Sequence, residues 1–163
     1  MSTASSAFTP HPADDTSTTR QFATFSLDRY YFGVEVLMVQ EVIRYQDMTR
    51  VPLAPGVVQG LINLRGQIVT AVDLRRRLEL PERAEGVQPM NVVVRTSDGV
   101  VSLLVDDIGD VVETAHADFE RAPETISGAA RELITGVYKL KDRLLLALDV
   151  ERSTALDSEE RRN

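Results

Sequence analysis

Apolar positions along this chain come in short runs broken by turn residues, the pattern of strands rather than of helices. The clearest stretch is Gly60–Leu74, GLINLRGQIVTAVDL. Leu61, Ile62 and Leu64 are apolar, Arg65-Gly66 interrupts, and Ile68, Val69, Ala71 and Val72 resume before Asp73 closes the run. β-branched residues dominate, the runs are too short for a typical helix, and Gly66 can supply the positive φ of a tight turn. The stretch therefore predicts a strand–turn–strand unit. Laid without a gap over Gly136–Val150, GVYKLKDRLLLALDV, it matches Gly60 with Gly136, Leu64 with Leu140, Ala71 with Ala147 and Asp73 with Asp149, and a turn falls on a turn.

The chain before each copy matches as well. Phe22–Ile43 lies over Asn91–Val112, so that Asp28-Arg29 falls near Ser97-Asp98-Gly99 and Glu41-Val42-Ile43 on Asp110-Val111-Val112. The blocks keep their order and only the loops differ in length. Two related halves are expected, each of roughly five short strands. The stretch Leu80–Pro89, with two prolines and a glycine, is taken as the boundary, giving a first lobe at about 20–80 and a second at about 88–150.

Smaller features fill in the reading. Phe22–Leu27 and Tyr30–Val36 predict a hairpin, with Gly33 marking a bulge or a close backbone approach. Val36, Val39 and Ile43 would share one helical face, which predicts one or two helical turns beginning near Glu35. Met90–Thr96 has almost no polar interruption and is expected to be buried on both faces, with Asp98-Gly99 turning it back into Val100–Val105. Asp106-Asp107 reads as a turn, because neighbours in a strand point to opposite faces and cannot form a catalytic pair. Phe119–Leu133 reads as loop with a short helical piece. Residues 1–19 are rich in Ser, Thr, Ala, Pro and Asp, predicting a disordered tail, and 157–163 a frayed end.

Composition removes several classes of function. The 163 residues carry a net charge of −7, against the basic face a general nucleic-acid binder needs. The one basic cluster, Arg75-Arg76-Arg77, is expected to open a short helical turn as a solvated face. There is no cysteine, which excludes thiol chemistry and cysteine–zinc sites and fits a cytosolic protein. No apolar run approaches the ~20 residues of a membrane span, and no secretory signal is read at the N-terminus. His11 and His116 have no partner at ligand spacing, so no metal or other cofactor is expected. Phosphate loops and nucleophile elbows are absent from the sequence. Strands, turns and apolar faces point to an interaction module rather than an enzyme.

At Val39-Gln40-Glu41, at Gly60-Leu61-Ile62-Asn63-Leu64-Arg65-Gly66, at Ile68-Val69, at Val72-Asp73-Leu74 and at Leu104-Val105-Asp106, the chain resembles the CheW family of bacterial chemosensory coupling proteins. The resemblance runs from about Arg20 to Leu156. It implies an all-β fold of two SH3-like five-stranded β-barrel lobes packed side by side, with no catalytic activity. It also implies two partners in the cytoplasm: the cytoplasmic tip of a methyl-accepting chemoreceptor and the regulatory domain of a CheA-type histidine kinase, with which related lobes pair end to end in rings.

Carried over by position, the resemblance ties Val39, Glu41, Gly60 and Arg65 to coupling and places Ile108 and Val111 along a receptor groove between the lobes. An apolar-walled groove suits a helical hairpin tip. Glu41 and Arg65 are expected to pair across the first lobe as a semi-buried couple, so that losing one strands the other. Ser102 stands where the family often has glycine, and its hydroxyl is expected near the groove. Thr19, Gln21, Asn63 and Leu64 are implied at one kinase interface and Thr125 and Ile126 at the second, where the family can carry a large aromatic near Thr125. Two other readings are carried: a scaffold of a non-flagellar chemosensory pathway, and a metabolite binder using Asp106, Asp107 and Glu41 in the inter-lobe groove.

Overall fold

Among the residues that the structure, a computed structural model, describes (19–126 and 128–155), strands carry nearly all of the architecture. They are β1 (Thr19–Leu27), β2 (Tyr30–Glu35), β3 (Val39–Ile43), β4 (Val58–Leu64), β5 (Gln67–Asp73), β6 (Met90–Thr96), β7 (Gly99–Val105), β8 (Asp107–Ala115), β9 (Phe119–Glu120), β10 (Ile134–Lys139) and β11 (Leu144–Leu148). Three short helices accompany them, α1 (Leu74–Arg77), α2 (Gly128–Leu133) and α3 (Val150–Thr154), with 3-10 turns over Val36–Met38 and His116–Asp118.

The strands form two sheets of matching plan. One runs β8-β1-β2-β11-β10-β9 and the other β3-β6-β7-β5-β4. In both, the hairpins are antiparallel, and the step between them, β2 to β11 or β7 to β5, is parallel. The aligned halves fall on equivalent strands, down to the irregularities: the register shifts at Val58/Gly60 in β4 and at Ile134/Gly136 in β10. Each sheet rolls toward its own edge. Thr49, which follows β3, exchanges both backbone hydrogen bonds with Leu61 of β4 at 2.8 Å, and β9, one 3-10 turn after β8, pairs with β10.

Burial follows the two-residue period. Val92 and Val94 of β6 enter a large cluster that also takes Phe25, Phe32, Leu103 and Leu146, so both sheets contribute to one shared core. Val93, pointing the other way, joins Ile62, Leu64 and Val69 inside its own sheet. Phe22, Tyr138, Leu145 and Ala147 fill the equivalent place in the first sheet. The expectation that Met90–Thr96 is covered on both faces holds for its central residues.

The lobes differ from the expected ones in their membership. The sheets do not divide at Leu80–Pro89, which lies wholly within the stretch forming the second sheet. Instead β1 and β2 of the first half pair with β8, β10 and β11 of the second, while β6 and β7 of the second half pair with β3, β4 and β5 of the first. Each half lends a hairpin to the other. The first sheet also has a sixth, two-residue strand, β9.

Two local readings are corrected. The helical turn near Glu35 is only a three-residue 3-10 turn, and Val39–Ile43 is a strand along β6. Apolar residues three and four apart satisfied a helix template, yet pairing with buried β6 provides backbone partners and a core. The arginines after Leu74 do open a helical turn, capped by Asp73 accepting from the Arg75 backbone N–H at 3.0 Å. Arg76 is exposed, as a solvated face requires, but Arg75 and Arg77 are not. Arg75 pairs with Asp106 at 2.5 Å, and Arg77 donates to the carbonyls of Arg152, Ser153 and Ala155 at the end of α3.

Candidate interaction surface

The hairpin turn between β4 and β5 is built from its sequence. Arg65 and Gly66 both take positive φ, 52° and 91°, as a two-residue turn matched to strand twist requires. Asn63 braces it, its Oδ1 accepting from the Gly66 N–H at 2.8 Å. This aims the Arg65 guanidinium back at β3, where its Nη2 donates to Glu41 Oε2. The predicted pair therefore forms, but it is not semi-buried: the Arg65 side chain is 72% exposed against 20% for Glu41. An ion pair so open to water contributes at most about 1 kcal/mol, so the fold does not depend on Arg65.

Gly60 is different. It is buried on β4, and a Cβ there would lie 2.8 Å from the Thr49 carbonyl oxygen and 3.0 Å from Met48 Cβ. It permits the close approach of the segment after β3 and offers no surface to a partner. Ser102 is also internal, which corrects its expected place by the groove: its hydroxyl donates to Asn91 Oδ1 at 2.6 Å, and Asn91 Nδ2 donates to the Arg44 carbonyl. The first sheet explains the exchange. Its equivalent pair is Gly33 with Phe22, where a Cβ on Gly33 would stand 3.0 Å from Phe22 Cβ. Leu145 Cδ1 stands equally close, so the neighbours of Gly33 crowd a side chain there, whereas Ser102 is accommodated beside Asn91.

Val39 and Ile108 occupy equivalent positions on β3 and β8, each half-buried against the shared core. Both strands are sheet edges. Val111, farther along β8, is 61% exposed between Asp110 and Glu113. The structure thus brings Glu41 to Arg65 and leaves Val39, Ile108 and Val111 on edge strands, while Gly60 and Ser102 drop out as contact residues.

The expected kinase residues fall in three places. Thr19 and Gln21 are exposed at the start of β1, where Thr19 Oγ1 donates to Glu113 Oε2 at 2.8 Å. Asn63 is exposed beside the turn, but Leu64 is buried within its sheet, which excludes direct contact. Thr125 and Ile126 border a cavity of about 470 Å³ with Tyr30, Tyr31, Arg143 and Leu144, and Arg143 stacks over the Tyr31 ring at 4.2 Å. This aromatic and cationic notch has no local sequence signal, because its three segments are far apart in the chain.

The carboxylates of the metabolite reading do not converge on one site. Glu41 serves Arg65, and Asp107 Oδ1 accepts from the Ile108 N–H. Asp106 accepts from Arg75, Arg83 and the Asp28 N–H. Burial is the largest influence on the Asp106 carboxyl and opposes its charge, yet these hydrogen bonds together outweigh it and hold the pKa below the ordinary value. The Arg75 guanidinium is raised in turn, chiefly by its hydrogen bond to Asp106.

The profile of the CheW-like domain family matches residues 21–157. A protein described as chemotaxis protein CheW from Klebsiella aerogenes is 32% identical over 141 residues, covering 86% of this chain and 84% of that protein. One so described from Bacillus subtilis is 30% identical over 142 residues, covering 87% and 90%. The crystal structure of scaffolding protein TtCheW from Thermoanaerobacter tengcongensis is similar in fold, with a TM-score of 0.77 at 24% identity, covering 88% of this chain and 97% of that one. By profile and by relatives, over nearly all the residues that form the two sheets, the chain belongs to the CheW family.

Proposed function

We propose that this protein is a non-enzymatic adaptor joining the cytoplasmic tips of chemoreceptors to the regulatory domain of a CheA-type histidine kinase, in the cytoplasm beneath a receptor array. The observation that carries the reading is the Glu41–Arg65 pair. A rigid turn holds an exposed guanidinium against a less exposed carboxylate on an edge strand. The pair adds little to stability, which fits a contact role better than a structural one. The apolar positions Val39, Ile108 and Val111 supply the rest of a receptor-facing surface, and the notch beside Thr125 and Ile126 supports a separate kinase contact. Among the described residues no helix is long and apolar enough to cross a membrane, so attachment to the array would run through partners.

Calorimetric titration with the kinase regulatory domain and, separately, with a receptor-tip fragment tests this. Saturable binding of both, with Ile108→Glu abolishing only receptor binding, is the expected result. A folded protein that binds neither at tens of micromolar, on the scale of weak signalling encounters, overturns it.

A further inference from the structure

Among the described residues the chain crosses between the sheets twice. The first crossing, from β2 to β3, passes through the 3-10 turn Val36–Met38, held by Arg95 donating to the Leu37 carbonyl at 3.3 Å. The second, from β7 to β8, is a single residue: β7 ends at Val105, β8 begins at Asp107, and Asp106 stands between them.

Asp106 is bonded from both sides of the crossing. From the second sheet's side, Arg75 on α1 donates through Nε at 2.9 Å and Nη2 at 2.5 Å, and Arg83 donates through Nε at 3.1 Å. From the first sheet's side, the Asp28 N–H in the β1–β2 turn donates at 2.7 Å, and the Asp106 N–H itself donates to the Ser26 carbonyl at 3.1 Å. Arg75 also reaches the Pro81 carbonyl at 2.7 Å, tying down the loop that carries Arg83. Asp73, the cap of α1, lies 3.7 Å from Arg83 and balances the charges.

The Arg75, Arg83 and Asp106 side chains are 13%, 11% and 18% exposed. They are too enclosed to be the contact surface of a partner. As a source of stability they are also a poor choice, since buried ion pairs often break even against apolar replacements. What they supply is direction. The shared apolar core resists separation of the sheets but is non-directional, whereas bonds from two sheets converging on one carboxylate fix an angle.

We infer that Asp106, with Arg75 and Arg83, is an inter-lobe lock that sets the position of the β8 edge relative to the β3 edge, and thereby the receptor-binding geometry. These are positioning residues, and their functional consequence rests on the receptor-coupling reading given above. Receptor contact would use both edges, so loosening the lock should weaken it.

The absence of cysteine makes the test direct. Spin labels on Ile68→Cys, exposed on β5 of the second sheet, and Asp142→Cys, exposed in the β10–β11 turn of the first, report the inter-sheet distance by pulsed electron paramagnetic resonance. Two lock variants are compared with the labelled parent in the full chain: Asp106→Asn, and the triple variant Asp106→Asn, Arg75→Gln and Arg83→Gln, which removes the cluster's three ions together and leaves Asp73 beside Arg76 at 3.7 Å if the single variant folds poorly. The expected result is a narrow parental distribution that broadens or shifts in the variants. Receptor-tip affinity should fall about tenfold or more, within the usual range of coupling effects. Unchanged distributions in both variants overturn the lock. Altered distributions with parental receptor affinity overturn its functional role. A parent without receptor affinity would instead sink the coupling reading, and the distances would still decide the lock.

Discussion

The β4–β5 and β10–β11 hairpins are the same unit used twice, and their differences separate what folding needs from what one copy alone carries. Both have a glycine at the register shift, Gly60 and Gly136, where a Cβ would come within 2.8 Å of a carbonyl oxygen of the neighbouring segment. Both end in an aspartate that caps a helix, Asp73 through the Arg75 N–H and Asp149 through the Arg152 N–H, each at 3.0 Å. Only the turns diverge. Arg65-Gly66 is left-handed, braced by Asn63 and paired with Glu41. Its counterpart Lys141-Asp142 is a bend without positive φ, and Lys141 forms no ion pair with Asp110, the residue equivalent to Glu41. Features present twice belong to the architecture. The paired arginine, present once, belongs to the proposed receptor surface.

The glycines offer the largest test. Gly60→Ala and Gly136→Ala should each destabilise by about 1–3 kcal/mol, as overpacking does, measured by urea denaturation. Comparable losses in the two hairpins sharpen the comparison; a Gly60→Ala protein of parental stability that fails to bind receptor would break it. Next come the caps. Removing a helix cap costs about 0.5–2 kcal/mol, and Asp73→Ala should cost more than Asp149→Ala, because Asp73 also lies beside Arg83 in a more buried site. Thermal denaturation of the two variants ranks them.

Acid probes a difference between the crossings. Because the folded-state pKa of Asp106 is lowered, its contribution is complete above the unfolded carboxyl value and is lost as pH falls through the folded one. Denaturation midpoints followed across the acidic range should show Asp106→Asn losing that part of the parent's pH dependence. The smallest stability effect belongs to the turns. Arg65→Ala should change stability by less than about 1 kcal/mol while abolishing receptor binding in a titration, and Lys141→Ala should alter neither.

Most of the architecture was legible in the sequence, because short apolar runs and turn residues mark strands locally. The phase of the repeat even put equivalent bulges, caps and hairpins in register. Lobe membership was not legible. A half that keeps its hairpin Phe22–Glu35 and a half that exchanges it bury the same apolar positions, and the alternatives differ only in crossings of one and three residues. The Glu41–Arg65 pair could be anticipated from resemblance, but its exposure depends on where β3 ends up. The burial of Ser102 depends on Asn91, eleven positions away on a paired strand. Arg75 looked like a solvated cation because its partners, Asp106 and the Pro81 carbonyl, meet it only in three dimensions.

The exchanged hairpins bear on how such a chain could arise. Each half contributes two strands to one sheet and the remaining strands to the other. A half-length ancestor could complete neither sheet alone, but two copies related by a two-fold axis would complete both. Joining them through Leu80–Pro89 makes a concentration-dependent assembly intramolecular, with the linker setting the effective concentration of the second half. Tandem fusion also frees the copies to diverge, so that one turn could acquire Arg65 while the other kept only what the sheet requires.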